Sequence, residues 1–116
     1  MRAFSLLTLL LPFVAANTHH QCDCWTWSAG GDWIQNAELT HYICQKWPTH
    51  TYFDDKSNRC KTAEGFVLDG DIWEADCIEY GTKQGYYPVR ADGSIDDSVS
   101  KKMTVGAATG SCPNRG

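Results

Sequence analysis

Six cysteines, Cys22, Cys24, Cys44, Cys60, Cys77 and Cys112, follow a short apolar leader, and this combination limits the architecture more than any other property of the chain. Within Met1 to Ala16, Arg2 supplies a positive start and Phe4 to Val14 an apolar stretch interrupted by Pro12. Val14, Ala15 and Ala16 give the small-residue pattern of a cleavage site. This is the layout of a secretory signal peptide. It is too short to span a bilayer, and no later stretch approaches the roughly 20 apolar residues a membrane helix needs. The expected localisation is secreted and extracellular, with no membrane span. In an oxidising compartment an even number of cysteines reads as disulfides, here three. A zinc site would want two closely spaced pairs, and Cys22 with Cys24 is one.

Cleavage after Ala16 leaves residues 17–116, 100 residues, enough for a single secreted cysteine-rich domain. The whole chain carries a formal charge of −4, and losing Arg2 with the leader makes the remainder −5. Lys and Arg are scattered, with Lys101-Lys102 the one adjacent pair, so nucleic acid and anionic lipid are poor partners. That dibasic pair also has the form of a processing site. No Asn-x-Ser/Thr sequon is present.

Alternation sets Asp23, Trp25 and Trp27 on one side of an extended segment and Cys22, Cys24 and Thr26 on the other, which predicts a first strand. Asn36 as cap, Glu38 in the first turn and Leu39, Tyr42, Ile43 and Trp47 at helical spacing predict a helix stopped by Pro48. Thr51 to Asp54, the polar turn Asp55 to Asn58, and Arg59 to Thr62 read as a hairpin. Asp71 and Glu74 have capping-box spacing, with Trp73, Cys77 and Tyr80 along one side and Gly81 as the stop, predicting a second helix. Gly85 to Val89 reads as a last, edge strand because Pro88 cannot donate to a ladder, and 91–111 as a loosely structured C-terminal segment tied back by Cys112.

The expected fold class is α+β: a small disulfide-stapled sandwich of order β-α-β-β-α-β, ferredoxin-like, with an antiparallel sheet carrying two helices on one face. Cys44 and Cys77 would then look at the sheet, and Cys22 or Cys24 could meet Cys60 or Cys112. Six cysteines allow fifteen pairings; Cys22 with Cys112, joining the two ends, is the preferred one.

Leader, domain size, six cysteines, abundant aromatics and the lack of an enzyme motif together resemble the small secreted cysteine-rich effectors of filamentous fungi. The features nearest to such proteins are the start Cys22-Asp23-Cys24-Trp25 and the block Leu68-Asp69-Gly70-Asp71-Ile72-Trp73-Glu74 leading into Cys77. Some members of that class look like virally encoded killer toxins with a similar order of elements. The resemblance implies virulence or symbiosis, and action on a host or competitor protein or glycan by binding, without turnover.

Candidate chemistry is sparse. A ribonuclease would need a carboxylate base, a His acid and an Arg brought together, and His41, His50, Glu64, Glu74, Glu79, Arg59 and Arg90 show no spacing that opposes a base to an acid. A small ribonuclease-like hydrolase therefore stands only as an alternative, no G-x-S-x-G is present, and no catalytic residue or cofactor is expected. Asp54-Asp55, Asp96-Asp97 and Asp69 with Asp71 fit turns and a helix cap, where Asp bonds locally, better than a calcium loop. Trp25, Trp27 and Trp33 are the binding candidates, either as core or dimer-interface residues or as a stacking platform for a glycan, which makes a carbohydrate-binding module a second functional reading. Trp47 and Trp73 fit the core. Finally, a free amine at Asn17, two backbone amides and His19 could wrap Cu(II) or Ni(II) in a square plane, with His20 axial. A monomer or weak homodimer is expected.

Overall fold

The computed structural model describes residues 18–47 and 50–113; the leader, Asn17 and Pro48 lie outside them. The order is β1 (Thr18–His19), β2 (Gln21–Trp27), β3 (Ile34–Gln35), α1 (Ala37–Lys46), β4 (Thr51–Asp54), β5 (Arg59–Thr62), β6 (Leu68–Asp69), α2 (Gly70–Ile78), a π-helical turn (Glu79–Gln84) and β7 (Ala107–Ser111). The domain is α+β, with antiparallel sheets and two helices.

β2 is the hub. β7 runs antiparallel along one edge, from Asp23 opposite Ser111 to Trp27 opposite Ala107. On the other edge, Cys24 C=O accepts from Asn36 N–H and His20 C=O from Thr62 N–H, so β3 and β5 both lie on that side. β4 closes the order beyond β5, in register Thr51 with Thr62 through Asp54 with Arg59. Where β3 and β5 leave a gap beside Cys24, the buried Thr40 hydroxyl accepts the Cys24 N–H at 2.9 Å, so the helix supplies the bond a strand would have made.

Cys22 stands opposite Cys60, so these two and Cys24 share one face of the sheet. They do not bond to each other. Cys22 joins Cys112, Cys24 joins Cys77 on α2, and Cys60 joins Cys44 on α1, which brings both helices to that same face. The bridges close loops of 90, 53 and 16 residues, and constraining the unfolded chain at those lengths contributes roughly 3 to 5 kcal/mol apiece. Around the sulfurs, Leu39, Tyr42, Ile43, Leu68, Trp73 and Tyr86 fill the core, with Trp47 packed on Trp73 at a ring separation of 5.3 Å.

Asn36 caps α1 as expected, its Oδ1 accepting from Leu39 N–H at 2.9 Å. The second helix begins earlier than its sequence signature suggests. Asp69, not Asp71, is the N-cap, accepting from the N–H groups of Asp71 and Ile72, and Asp71 falls in the first turn. Glu74 consequently makes no capping box. The helix does not stop at Gly81 either; it widens into the π-helical turn and ends at Gly85, whose φ of +85° is the left-handed conformation that favours glycine.

The last strand is also displaced. Gly85 to Val89 makes only two isolated bridges, Tyr86 with Met103 and Val89 with Ile95. The strand that completes the sheet is β7, inside the stretch 91–111 expected to be loose. Its small residues explain both the misreading and the packing. A Cβ on Gly110 would lie 2.8 Å from Glu74 Cα, and Ala108 sits against Gly81, so only a strand of small side chains lets α2 approach this closely.

Candidate functional site

The outer face of the sheet, opposite the helices, takes every second residue of β2. Asp23, Trp25 and Trp27 point there, as alternation requires, and in register beside them stand Ser111, Thr109 and Ala107 of β7. Gln35 lies opposite Trp25, and Trp33 immediately precedes β3. β5 and β4 add Arg59 beside Asp54 and Lys61 beside Tyr52. One end of the face is aromatic and the other charged.

The three predicted tryptophans are not core residues. Trp25, Trp27 and Trp33 remain 36%, 37% and 47% exposed, and Tyr52, which the sequence reading did not single out, is 54% exposed at the charged end. Trp25 and Trp27 are nonetheless fixed. The Trp27 ring lies over Gly106, where any Cβ would come within 3.2 Å of its six-membered ring. Trp25 is held by Asp23: its Nε1–H donates to Asp23 Oδ1 at 3.2 Å.

Asp23 is the residue that sequence reasoning missed. It is fully buried, although it sits on the solvent side of the sheet, because Trp25, Gln35 and Arg59 close over it. Its Oδ2 accepts from Gln35 Nε2 at 2.7 Å and from Arg59 Nε at 3.3 Å. Continuing the β2–β5 register sets Asp23 opposite Arg59, so the ion pair is a cross-strand pair. A buried carboxylate costs several kcal/mol unless its charge and lone pairs are met, and three donors meet them here. The signal available in sequence was a charged residue held in alternation between two half-cystines.

The residues weighed for a ribonuclease are dispersed among separate contacts. His41 stacks on Phe53 with ring centroids 4.1 Å apart, and burial holds its imidazole below its ordinary pKa of 6.5. His50 packs on Phe66, Glu74 accepts from Thr109, Glu79 accepts from Gln84, Arg90 pairs with Asp96, and Glu64 is exposed in a turn. Among the described residues no group of three or more His, Cys, Asp or Glu could hold a metal ion. His19 belongs to β1, paired with Leu68 of β6, while Asn17 lies outside the described residues. A square-planar wrap through the Thr18 and His19 amides requires β1 to leave that pairing.

No helix among the described residues is long and apolar enough to cross a membrane. No protein-family model, no curated protein and no solved structure matches the chain.

Proposed function

We propose that this is a secreted, non-enzymatic protein that acts by contact, binding a protein or glycan of a host or competitor through the outer face of its sheet. The observation that carries the reading is the anchored aromatic pair. Trp25 and Trp27 present exposed indoles from one strand face, and Trp25 is locked by a buried carboxylate, so little side-chain freedom is lost when a partner covers it. Large, rigid aromatic surfaces of this kind dominate binding energy where they occur. Three disulfides suit a protein that works outside the cell. The effector-like resemblance of the sequence points the same way. The strand order β7, β2, β5, β4 with both helices on one face further supports a split β-α-β reading of the fold, β7 taking the place of the last strand.

A carbohydrate-binding module is the second reading, favoured by the flanking Tyr52, Lys61 and Asp54, which offer a further stacking face and polar partners for hydroxyl groups. The test compares the native protein with Trp25→Ala and Trp27→Ala on insoluble chitin and glucan and on intact cells of a host or competitor. Retention on polysaccharide that falls tenfold or more on either substitution, about the loss expected for an aromatic hot spot, selects the module. Retention on cells alone, with the same sensitivity, selects a protein partner. Binding indifferent to both tryptophans overturns the assignment of this face.

A further inference from the structure

Away from the tryptophan face, the outer edge of β4 is unpaired. Thr62 N–H donates to His20 C=O, toward β2, and Ala63 N–H donates to His50 C=O, toward β4. The alternation of an antiparallel ladder then directs the main-chain groups of Tyr52 and Asp54 to β5, and those of Thr51 and Phe53 outward. Among the described residues no hydrogen bond reaches the N–H or C=O of Thr51 or Phe53. Exposed edges of this sort are templates for another strand.

This edge does not face open solvent on all sides. It forms one wall of a groove of about 420 Å³, whose opposite wall is the turn at Ala91, Asp92 and Gly93. Gln45 of α1 closes the floor by donating its Nε2–H to Gly93 C=O. The turn is closed by two main-chain hydrogen bonds, Gly93 N–H on Arg90 C=O at 2.9 Å and Arg90 N–H on Ser94 C=O at 2.8 Å. The lining carries the carboxylates of Asp54, Asp55 and Asp92 and no Lys or Arg. Asp54 already holds Lys61 at 3.0 Å, whereas Asp55 and Asp92 form no ion pair among the described residues. A second copy of this chain would oppose its own carboxylates to these, which argues against self-pairing.

We propose that the groove along β4 takes an extended basic segment of a partner protein, added to the sheet as one more strand. Main-chain bonds to Thr51 and Phe53 supply the affinity, and Lys or Arg side chains at alternate positions meet Asp55 and Asp92. The groove shares Tyr52 and Asp54 with the charged end of the outer face but contains neither Trp25 nor Trp27, and the proposal does not rest on the role assigned to the tryptophans.

The probes are three synthetic octapeptides: alternating Lys-Thr, alternating Glu-Thr, and the Lys-Thr sequence with every peptide nitrogen methylated. Each is titrated into the intact oxidised protein while amide shifts and hydrogen exchange are followed by NMR. The Lys-Thr peptide is expected to shift and protect the amides of Thr51 and Phe53. The other two should leave them unchanged. Asp55→Asn with Asp92→Asn, which keeps the turn's side-chain acceptors, should weaken binding about fivefold, as two exposed ion pairs allow. Equal binding of the methylated peptide removes the added strand, and equal binding of the Glu-Thr peptide removes the charge preference. No shift at Thr51 and Phe53 at millimolar peptide overturns the site. Protection that rises with protein concentration alone makes the occupant a second copy and overturns the proposal as well.

Discussion

The indole of Trp25 and the carboxylate of Asp23 are hydrogen-bonded side chain to side chain at 3.2 Å, two residues apart on one strand, so a buried charge fixes the orientation of an exposed ring. Arg59 and Gln35 complete the contact from two other strands. Asp23 therefore couples the integrity of the sheet to the shape of the face it displays.

Replacing Asp23 with Ala is expected to cost about 3 kcal/mol, since it removes the carboxylate that pairs with Arg59 and leaves Gln35 only the carbonyls of Ser57 and Asn58. Asp23→Asn keeps one acceptor and should cost less. Urea unfolding of the oxidised protein measures both, and near-UV circular dichroism reports the freed indole. An Ala variant as stable as the native chain would show that the carboxylate is not the anchor.

β7 makes a second demand, on size. Gly110→Ala places a Cβ 2.8 Å from Glu74 Cα and 3.1 Å from Trp73 Cδ1, backbone and packed ring that cannot swing aside. The expected loss is about 2 kcal/mol, the ordinary cost of overpacking. Faster amide exchange along β7, with β5 unchanged, would locate the strain.

How far the fold could be read in advance depended on whether the signal was local. The hairpin of β4 and β5 has the predicted bounds because its polar turn announces itself, with Asn58 adopting a φ of +58° that asparagine tolerates. Asn36 and the alternation along β2 are local too. β7 is not. Ala107 to Ser111 has weak strand propensity, and it is a strand because β2 offers an edge and α2 requires small neighbours. Gly85 to Val89 has the stronger propensity, yet no strand lies beside it for more than single bridges. The preferred Cys22–Cys112 bridge formed, while the other two sulfur pairs depended on which helix met which strand. For the site, the tryptophan face was legible by parity, but the burial of Asp23 required knowing that Gln35 and Arg59 arrive from elsewhere.

His41 gives a pH signature near neutrality. Stacked on Phe53 and partly buried, it has a pKa depressed below 6.5, so the folded state binds its proton less readily than the unfolded chain does. Its contribution is present above pH 6.5 and is lost as pH falls through the depressed folded value. The native Tm should decline between pH 7 and pH 5. In His41→Phe, which preserves the stack, that part of the decline should vanish; an unchanged slope would assign it to other groups.

Asp54 predicts the acid limb. Hydrogen bonds from Ser57 and Lys61, and from the Lys56 N–H, hold its carboxyl far below the ordinary 3.8, so it stays ionised in the folded hairpin where the unfolded chain would already be protonated. A depressed carboxyl contributes stability above about pH 4 that disappears as pH drops toward the folded value. Asp54→Asn should therefore lower Tm most at pH 6, with the gap between the two curves narrowing steadily from about pH 4 down to pH 2 as acid is added. Because the Asp54–Lys61 pair is partly open to solvent, 1 M salt should shrink the pH 6 difference by screening Lys61. Curves that remain parallel down to pH 2 would mean that the side chain acts through the shape of the turn alone, with its charge uninvolved.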